Sequence, residues 1–548
     1  MKQTTGILFI LLSFACGCAN IVTPSGGEKD ETPPVIDTIF PPNNSLFFNA
    51  REIEIHFKEY FQATDIFNQL VISPPLAESP DIKVKGKKLI LKFNSSLRDS
   101  TTYTINFGES IKDITEGNVL ENFTYVFSTG SYIDSLQISG QMADAFTGVN
   151  IEKGYAVLYP VTNDSSFLKE KPYYFAKTDK GGNFQIHNIK EGTYNLYGIE
   201  DQNFNFFYDL PNERIAFLDS ALVIDSTINN IKLNIFSEDK IKQHFLGAKS
   251  YRYGQSKISF NKNAEDVSIQ YSGEQNDKGF FEKNSTGDSI TFWHPDPYLD
   301  KHTFTIRYDT TDTIINVAVK SIHKDSSMAQ FKNTFKSNAM PVKRGTGQSN
   351  LFAGWDLNKT IQISFVNPLE SIDTAGILVT EDSTKQQLLP VLTIDSNDRR
   401  RVFVMYQWKP SVRYSIHMQS GSMTDIFGLY NDSATFFIET KEIEDYGTIK
   451  LNIVNKTNEQ IILQFMKNDQ SIISERIITD EIAPPITYNY LLPETYLLRA
   501  IIDKNKNKKW DTGDYEKKIQ PEQVIFYDES LASKANWEIE IEWNITLK

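Results

Sequence analysis

Two stretches of the chain share one pattern, and that pattern decides the fold. The later stretch reads Leu492-Pro-Glu-Thr-Tyr-Leu-Leu-Arg-Ala-Ile-Ile-Asp503-Lys-Asn505-Lys-Asn507-Lys-Lys-Trp510-Asp511-Thr-Gly513-Asp514. The earlier one reads Lys190-Glu-Gly-Thr-Tyr-Asn-Leu-Tyr-Gly-Ile-Glu-Asp201-Gln-Asn203-Phe-Asn205-Phe-Phe-Tyr208-Asp209. Each contains Thr-Tyr, an apolar run, an Asp-x-Asn-x-Asn motif, an aromatic residue and a further Asp. Such an internal repeat indicates duplicated structural modules.

Composition predicts a multi-domain protein and disfavours several kinds of partner. The 548 residues correspond to about four or five domains of ordinary size. A formal net charge of -14 disfavours nucleic acid, because phosphate binding needs a basic face. The two cysteines, Cys16 and Cys18, lie near the N-terminus, and the seven histidines are scattered. We therefore expect neither disulfides in the folded part nor a transition-metal site.

The N-terminus reads as an export signal. Residues 6–14 form an apolar run that is too short to span a bilayer but fits a secretory signal. The following Ala15-Cys16-Gly17-Cys18 resembles the lipobox of bacterial lipoproteins. The resemblance implies a signal peptide over residues 1–17 and lipidation of Cys18, with Cys16 as the alternative. An ordinary signal peptide that contains cysteines is the other interpretation. A lipidated chain is anchored to a membrane and does not span it, and we expect no transmembrane helix.

Residues 18–32 are rich in Gly, Pro and polar residues and are predicted to form a flexible tether. Fifteen such residues reach roughly 20 Å. Their Glu28-Lys29-Asp30-Glu31 resembles the acidic export signal of surface lipoproteins in Bacteroidota. That resemblance implies an outer-membrane protein facing the cell exterior, and a merely solvated linker explains the same residues.

Alternating apolar residues predict short antiparallel strands in residues 33–130. Ile53, Ile55 and Phe57 alternate with polar residues, and runs of this kind are separated by Pro, Asn and Gly clusters. The ordered landmarks Pro33-Pro34-Val, Phe40-Pro-Pro-Asn, Leu97-Arg-Asp-Ser-Thr-Thr-Tyr103 and Phe127-Ser-Thr-Gly130 resemble the bacterial Ig-like domain of S-layer and surface proteins. The resemblance implies a spacer or interaction module, although this fold does not determine function.

Residues 131–237 resemble a different family. Ile138-Ser-Gly-Gln-Met-Ala-Asp-Ala-Phe-Thr-Gly148, Thr178-Asp-Lys-Gly-Gly-Asn-Phe184 and Ile189-Lys-Glu-Gly-Thr-Tyr194 occur in the order found in transthyretin-like modules of the carboxypeptidase-regulatory type. The resemblance implies a small β-sandwich without catalytic residues. Residues 238–340 also alternate but match no motif, and we expect a central β-sandwich there.

The second half of the chain repeats the first. Residues 341–440 match the Ig-like landmarks, as in Val412-Arg-Tyr414-Ser-Ile416, and residues 441–548 match the transthyretin-like ones. The predicted fold class is therefore all-β, with tandem antiparallel β-sandwiches, Ig-like and transthyretin-like, in an elongated array.

The Asp503 loop is a candidate calcium site. Its oxygen-bearing side chains fall at relative positions 1, 3, 5, 9 and 12, as in an EF-hand loop: Asp503, Asn505, Asn507, Asp511 and Asp514. Lys508 replaces the usual Gly, and the last carboxylate is the short Asp. The alternative is an Asx-rich hairpin loop held by hydrogen bonds from backbone to side chain. Calcium is the one cofactor that we predict, and no other is expected.

The remaining signals favour a binding protein over an enzyme. No Gly-x-Ser-x-Gly, His-Glu-x-x-His or phosphate-loop motif occurs. Phe206, Phe207 and Tyr208 form an apolar loop tip that predicts a docking patch. We expect a lipid-anchored scaffold or interaction subunit of an envelope complex, with protein partners in the outer membrane. The alternative is an adhesin or carbohydrate binder that uses exposed Trp and Tyr, and a hydrolase would require converging carboxylates with perturbed pKa values.

Overall fold

The computed structural model describes residues 30–161 except 122, 171–271 except 204, 279–294, 301–308, 313–320, 333–336 and 351–547. The chain divides into two compact units, Met1–Ser237 and Glu238–Lys548. Both units are built almost entirely from β-strands, which confirms the predicted all-β class of tandem sandwiches. In the described part of the chain, no helix is long and apolar enough to cross a membrane. Cys16 and Cys18 lie outside the described residues.

The first module (residues 36–128) is a sandwich with one short helix. Its elements are β1 Ile36–Phe40, β2 Glu52–Phe57, β3 Phe61–Ala63, α1 Ile66–Gln69, β4 Val71–Ser73, β5 Asp81–Lys85, β6 Lys88–Lys92, β7 Thr102–Asn106, β8 Ile111–Asp113 and β9 Thr124–Ser128. They form the sheets β1-β2-β6-β5 and β4-β7-β9 and the pair β3-β8. Ile53, Ile55 and Phe57 of β2 are buried as their alternation predicts.

The second module (residues 136–235) completes the first unit. Its strands are β10 Leu136–Asp144, β11 Tyr155–Pro160, β12 Tyr174–Lys177, β13 Asn183–Ile189, β14 Gly192–Glu200, β15 Arg214–Phe217, β16 Leu222–Ile224 and β17 Ile228–Ile235. One sheet has the order β13-β10-β17 and the other β12-β11-β14-β15, with β16 also paired to β14. The pair β10-β17 is parallel, an exception to the predicted antiparallel pairing.

The second unit begins with a third module (residues 245–320). Its strands are β18 Phe245–Arg252, β19 Gln255–Phe260, β20 Ser268–Tyr271, β21 Phe280–Lys283, β22 Ser289–Trp293, β23 Lys301–Tyr308 and β24 Thr313–Lys320. The sheets β18-β19-β22-β21 and β20-β23-β24 enclose a core that includes Ile258, Phe292 and Phe304.

The fourth module (residues 333–440) has the plan of the first. Its strands are β25 Asn333–Lys336, β26 Leu351–Trp355, β27 Ile361–Phe365, β28 Leu369–Ile372, β29 Ile377–Glu381, β30 Gln387–Leu388, β31 Val391–Ile394, β32 Arg401–Met405, β33 Arg413–Met418, β34 Met423–Asp425 and β35 Ala434–Thr440. The sheet β25-β27-β32-β31 corresponds to β1-β2-β6-β5, and the pair β28-β34 corresponds to β3-β8.

The fifth module (residues 447–545) has the plan of the second. Its strands are β36 Gly447–Asn455, β37 Gln460–Lys467, β38 Ile472–Ile478, β39 Ile486–Leu491, β40 Thr495–Asp503, β41 Val524–Phe526, β42 Leu531–Ala532 and β43 Glu538–Ile545. The sheets β39-β36-β43 and β38-β37-β40-β41 reproduce both sheets of the second module, including a parallel pair, β36-β43.

A buried tyrosine holds the same corner in the first and fourth modules. The Tyr103 hydroxyl accepts a hydrogen bond from the Arg98 backbone N–H at 2.8 Å, and the Tyr414 hydroxyl accepts one from the Lys409 N–H at 2.9 Å. Both rings are buried. The hydroxyls therefore satisfy loop amides that would otherwise lose their partner on folding.

Replacing this tyrosine by phenylalanine tests whether its hydroxyl stabilises the corner. We expect Tyr414→Phe to lower the free energy of unfolding by about 1–2 kcal/mol, because one loop N–H loses its acceptor while the ring stays packed. Urea denaturation measures the loss. Tyr430→Phe, which changes an exposed ring, is the control and should be neutral. Equal stability of the two variants would contradict the assigned role.

Candidate functional site

Asp503 sits at the end of a long buried strand and organises the loop that follows. Strand β40 ends on Asp503, which is completely buried. Its carboxylate accepts hydrogen bonds from the backbone N–H groups of Asn507 at 3.1 Å and Lys508 at 2.9 Å. The Gln460 side-chain amide donates a third at 2.6 Å. The carboxylate therefore folds the loop back over the end of its own strand.

Four of the five predicted calcium ligands converge. Asn505 and Asn507 both donate from their side-chain amides to Asp511 Oδ2, at 2.5 and 2.7 Å, next to Asp503. Asp514 belongs to a separate turn, where its carboxylate accepts from the backbone N–H and the ammonium of Lys517, at 2.9 and 2.8 Å. The Lys517 hydrogen bonds lower the pKa of Asp514.

Glu522 completes the cluster and was missed by the sequence analysis. Its two carboxylate oxygens accept from the backbone N–H groups of Lys504 and Asp511, at 2.9 and 3.2 Å. Burial raises its pKa, and the nearby carboxylates of Asp511 and Asp503 act in the same direction. Glu522 lies nineteen positions after Asp503, which places it outside a twelve-residue loop pattern that starts at Asp503.

The second module contains the same cluster. Asp201 accepts from the backbone N–H groups of Asn203 and Phe206, and the side-chain amides of Asn203 and Asn205 donate to Asp209. Here Glu213 takes the place of Glu522 and accepts from the Asp209 N–H at 2.9 Å. A search for a Glu that both copies place just before the strand after the loop, β15 or β41, could have found this residue.

The geometry is that of a hydrogen-bonded hairpin loop. Among the residues that the structure describes, no group of three or more His, Cys, Asp or Glu side chains is arranged to hold a metal ion. Calcium would require Asn505 and Asn507 to turn their amide oxygens toward Asp511, because calcium binds oxygen ligands. Calcium binding at Asp503, Asn505, Asn507, Asp511 and Asp514 stays a prediction.

Substitutions in this loop distinguish a calcium site from a hydrogen-bonded hairpin loop. We expect Asp503→Ala to lower the free energy of unfolding by about 2 kcal/mol or more, because two backbone amides and Gln460 lose their acceptor. Asp514→Ala, in the separate turn, should change it by less than about 0.5 kcal/mol. Chemical denaturation with calcium and with chelator is the measurement. A hydrogen-bonded loop predicts the same loss in both conditions, whereas a loss seen only with calcium would show a cation site.

The predicted docking tip Phe206, Phe207 and Tyr208 does not form. Phe206 and Tyr208 are buried, and only Phe207 is partly exposed. The Phe206 ring packs edge-to-face on Tyr155 and Phe175, with centroids 5.1 and 5.0 Å apart. The prediction of an exposed apolar tip was therefore wrong for Phe206 and Tyr208. The reason is the Asp201 carboxylate, which turns the loop back onto β11 and β12.

The tryptophans give little support to a sugar-binding face. Four indole rings, those of Trp293, Trp355, Trp408 and Trp543, are buried. Trp510 is partly buried, and its indole N–H donates to the Glu522 carbonyl at 2.9 Å. Among the described residues, Trp537 is the one tryptophan with a mostly exposed side chain. A row of tryptophans on one flat face is therefore not present in this part of the chain.

Two carboxylates meet between the third and fourth modules. The Glu282 carboxylate accepts from the Trp293 indole N–H at 2.8 Å, and Arg400 Nε lies 3.7 Å from it. Burial raises the pKa of Glu282 to about 7, and a hydrogen bond with Asp398 adds to the shift. Arg400 donates to Asp398 at 2.7 Å. Burial works against ionisation of Asp398, but the hydrogen bonds with Arg400 and Glu282 and the positive charge of Arg400 together outweigh it and lower the pKa of Asp398.

This pair has the perturbed pKa expected of a hydrolase but not the access. Both residues are buried, and their oxygens bond to Trp293, Arg400 and each other. The pair therefore acts as a structural junction, with one proton shared between the two carboxyl groups.

The junction predicts a pH dependence of stability. Glu282 binds its proton more tightly in the folded chain (pKa about 7) than in the unfolded chain (4.5). Its stabilising contribution is complete below pH 4.5 and falls as pH rises to about 7, by roughly 1–3 kcal/mol in total. Glu282→Gln should remove this decline, as measured by denaturation between pH 5 and 8. Parallel pH profiles for the two proteins would contradict the shared proton.

Comparison with known proteins supports the reading of the first module. Residues 30–129 match the bacterial Ig-like domain, and residues 151–209 match domain II of polysaccharide lyase family 4. The second match falls within the region that resembles transthyretin-like modules, and that finer assignment stays a prediction. No curated protein matches the chain.

Solved structures of tandem β-modules are also similar to this chain. Surface layer protein SbsC, domains 1–6, is 12% identical over 91% of this chain and 68% of its own, with a TM-score of 0.15. The four N-terminal Ig domains of Dscam1 are 8% identical over 74% and 99%, with a TM-score of 0.16. BcpA, the major pilin subunit of Bacillus cereus, is 8% identical over 75% and 99%, with a TM-score of 0.14. These scores are too low to support a functional inference, and the similarity that carries weight is that of residues 30–129 to the bacterial Ig-like domain.

Proposed function

We propose that the protein is a lipid-anchored, non-enzymatic scaffold or interaction subunit of a complex in the outer membrane, facing the cell exterior. The observation that carries the proposal is the repetition of one pair of modules, the first of which matches the bacterial Ig-like domain. Repeated sandwiches provide extended surface and spacing without an active site. The N-terminal apolar run and Cys18 supply the anchor.

The groups best suited to chemistry support a structural role. Four carboxylates hold the two loops by accepting hydrogen bonds from backbone N–H groups, namely those of Asp201, Asp503, Glu213 and Glu522. Glu282 and Asp398 hold a junction between modules. The alternative of a carbohydrate-binding or adhesion protein is less favoured, because most of the tryptophans are buried.

The anchor and the partner are tested together by membrane isolation. We expect Cys18→Ala to release the protein from membranes, because the acyl chains hold it there, while Cys16→Ala stays bound. Tagged wild-type protein, extracted from outer membranes in mild detergent, should co-purify with a stoichiometric membrane protein identified by mass spectrometry.

Two outcomes would contradict this proposal. Retention of Cys18→Ala on membranes, with lipid labelling intact, would move the anchor to Cys16. Recovery of the protein alone would argue against a complex and favour a free-standing adhesin, to be tested next on a glycan array.

A further inference from the structure

The first module exposes three large apolar side chains around one turn. Phe40 ends β1, and Leu46 and Phe47 follow the turn at residues 43–44. Their exposed fractions are 69%, 44% and 68%. We call these three residues the apolar turn cluster. Side chains of this size are usually buried, and three exposed ones within eight residues of chain point to a contact with another molecule or with a membrane.

The backbone makes Phe47 more unusual still. Its φ is +50°, in the left-handed region that bulky residues rarely occupy. Its N–H donates to the Gly130 carbonyl at 2.9 Å, so this conformation belongs to the module's own hydrogen-bonding pattern. An exposed phenylalanine with positive φ adds little to the stability of the fold, because its ring is not buried. Backbone strain of this kind indicates a functional position.

The fourth module shows what the fold itself requires at these positions. Thr129 and Thr440 are equivalent, since each side-chain hydroxyl accepts the N–H of the residue two before the corner tyrosine. Counting from them, the bridge Ser45–Phe127 corresponds to the pair Phe352–Ile438.

This register aligns the apolar turn cluster with small or polar residues. Phe47 corresponds to Gly354, which also has positive φ (+71°), and Leu46 corresponds to Ala353. In the sheet β1-β2-β6-β5, Phe40 pairs with Glu54. At the equivalent place in the sheet β25-β27-β32-β31, Lys336 pairs with Gln362. Only the next position, Phe48 or Trp355, is buried in both modules. The fold therefore needs the buried aromatic residue and does not need the apolar turn cluster.

What distinguishes the first module is that it directly follows the tether. Asn118 donates to the Asp30 carbonyl at 2.8 Å, which fixes the start of the described chain on this module. Asp30 lies twelve positions after Cys18, and a flexible chain of that length reaches roughly 20 Å. Phe40 lies ten positions after Asp30, which is at most about 35 Å of chain, and the twelve positions from Cys18 to Asp30 extend to at most about 40 Å. A membrane that holds Cys18 therefore lies within reach of Phe40.

We propose that the apolar turn cluster inserts into the headgroup region of the bilayer that carries the lipid anchor. Aromatic and aliphatic side chains partition into this region, and a second membrane contact strengthens attachment by lipid. The strands of the sheet that carries Phe40 bear four lysines and four carboxylates, namely Lys83, Lys85, Lys88, Lys92, Asp37, Glu52, Glu54 and Asp81. In a chain of net charge -14, this sheet is neutral and does not repel anionic headgroups.

The inference rests on the proposed lipid anchor, and the experiment separates the two. The protein is the mature chain from residue 18 with Cys18→Ser, which has no lipid. It is mixed with vesicles of phosphatidylethanolamine and phosphatidylglycerol in equal amounts, and the bound fraction is measured by flotation. We expect measurable binding that falls roughly tenfold or more in the triple variant Phe40→Lys, Leu46→Ala, Phe47→Gly, which copies the fourth module.

The triple variant is also expected to keep its fold. Phe47→Gly removes a side chain from a left-handed position, so the thermal midpoint should stay the same or rise. Leu389→Ser, which removes an apolar side chain that is 90% exposed in the fourth module, is the matched control and should bind vesicles like the parent.

Three results would overturn the inference. They are no binding of the unlipidated chain, equal binding by the triple variant, and an equal loss for Leu389→Ser. If vesicle binding is absent but the triple variant loses the co-purifying membrane protein, the apolar turn cluster is a protein interface instead. Absence of lipid on wild-type Cys18 would refute the anchor alone and leave the vesicle result to be judged by itself.

Discussion

A buried carboxylate at the end of a long strand is the interaction on which the second and fifth modules depend. Asp503 ends β40 and accepts two backbone amides of the loop that follows. Asp201 does the same after β14. A charged carboxylate is stable in a buried position only when several donors satisfy it. The loop must therefore adopt the one path that brings its amides to this point, and the path places Phe206 in a packed position.

The glutamates Glu213 and Glu522 reinforce this path from the returning chain. Each accepts the N–H of the aspartate at the far end of its loop, Asp209 or Asp511. Each also accepts the N–H at the start of its loop, from Gln202 or Lys504, so one carboxylate from outside the motif holds both ends of the loop. The two loops differ in length. They nevertheless share the same hydrogen bonds, because these bonds depend on where the glutamate lies in space.

Duplication has preserved cores and changed surfaces. The tyrosine corner at Tyr103 and Tyr414 and the buried aromatic pair Phe48 and Trp355 are equivalent in the two halves. Exposed positions differ: Phe47 faces solvent where Gly354 occupies the same strained backbone position. Packing density and hydrogen bonding constrain the residue type at buried positions. The residue type at exposed positions depends instead on what each copy contacts. Differences between the copies are therefore the best guide to their separate roles.

The sequence by itself determined the all-β class, the repeat of two kinds of module and the importance of Asp503 and Asp201. These features are local, since strand alternation and Asx-rich turns depend on neighbouring residues. Only the tertiary structure decided that Glu213 and Glu522 join these loops, that Phe206 is buried, and that Glu282 meets Asp398. Each of those facts depends on contacts between residues far apart in the chain, and periodicity and spacing carry no information about such contacts.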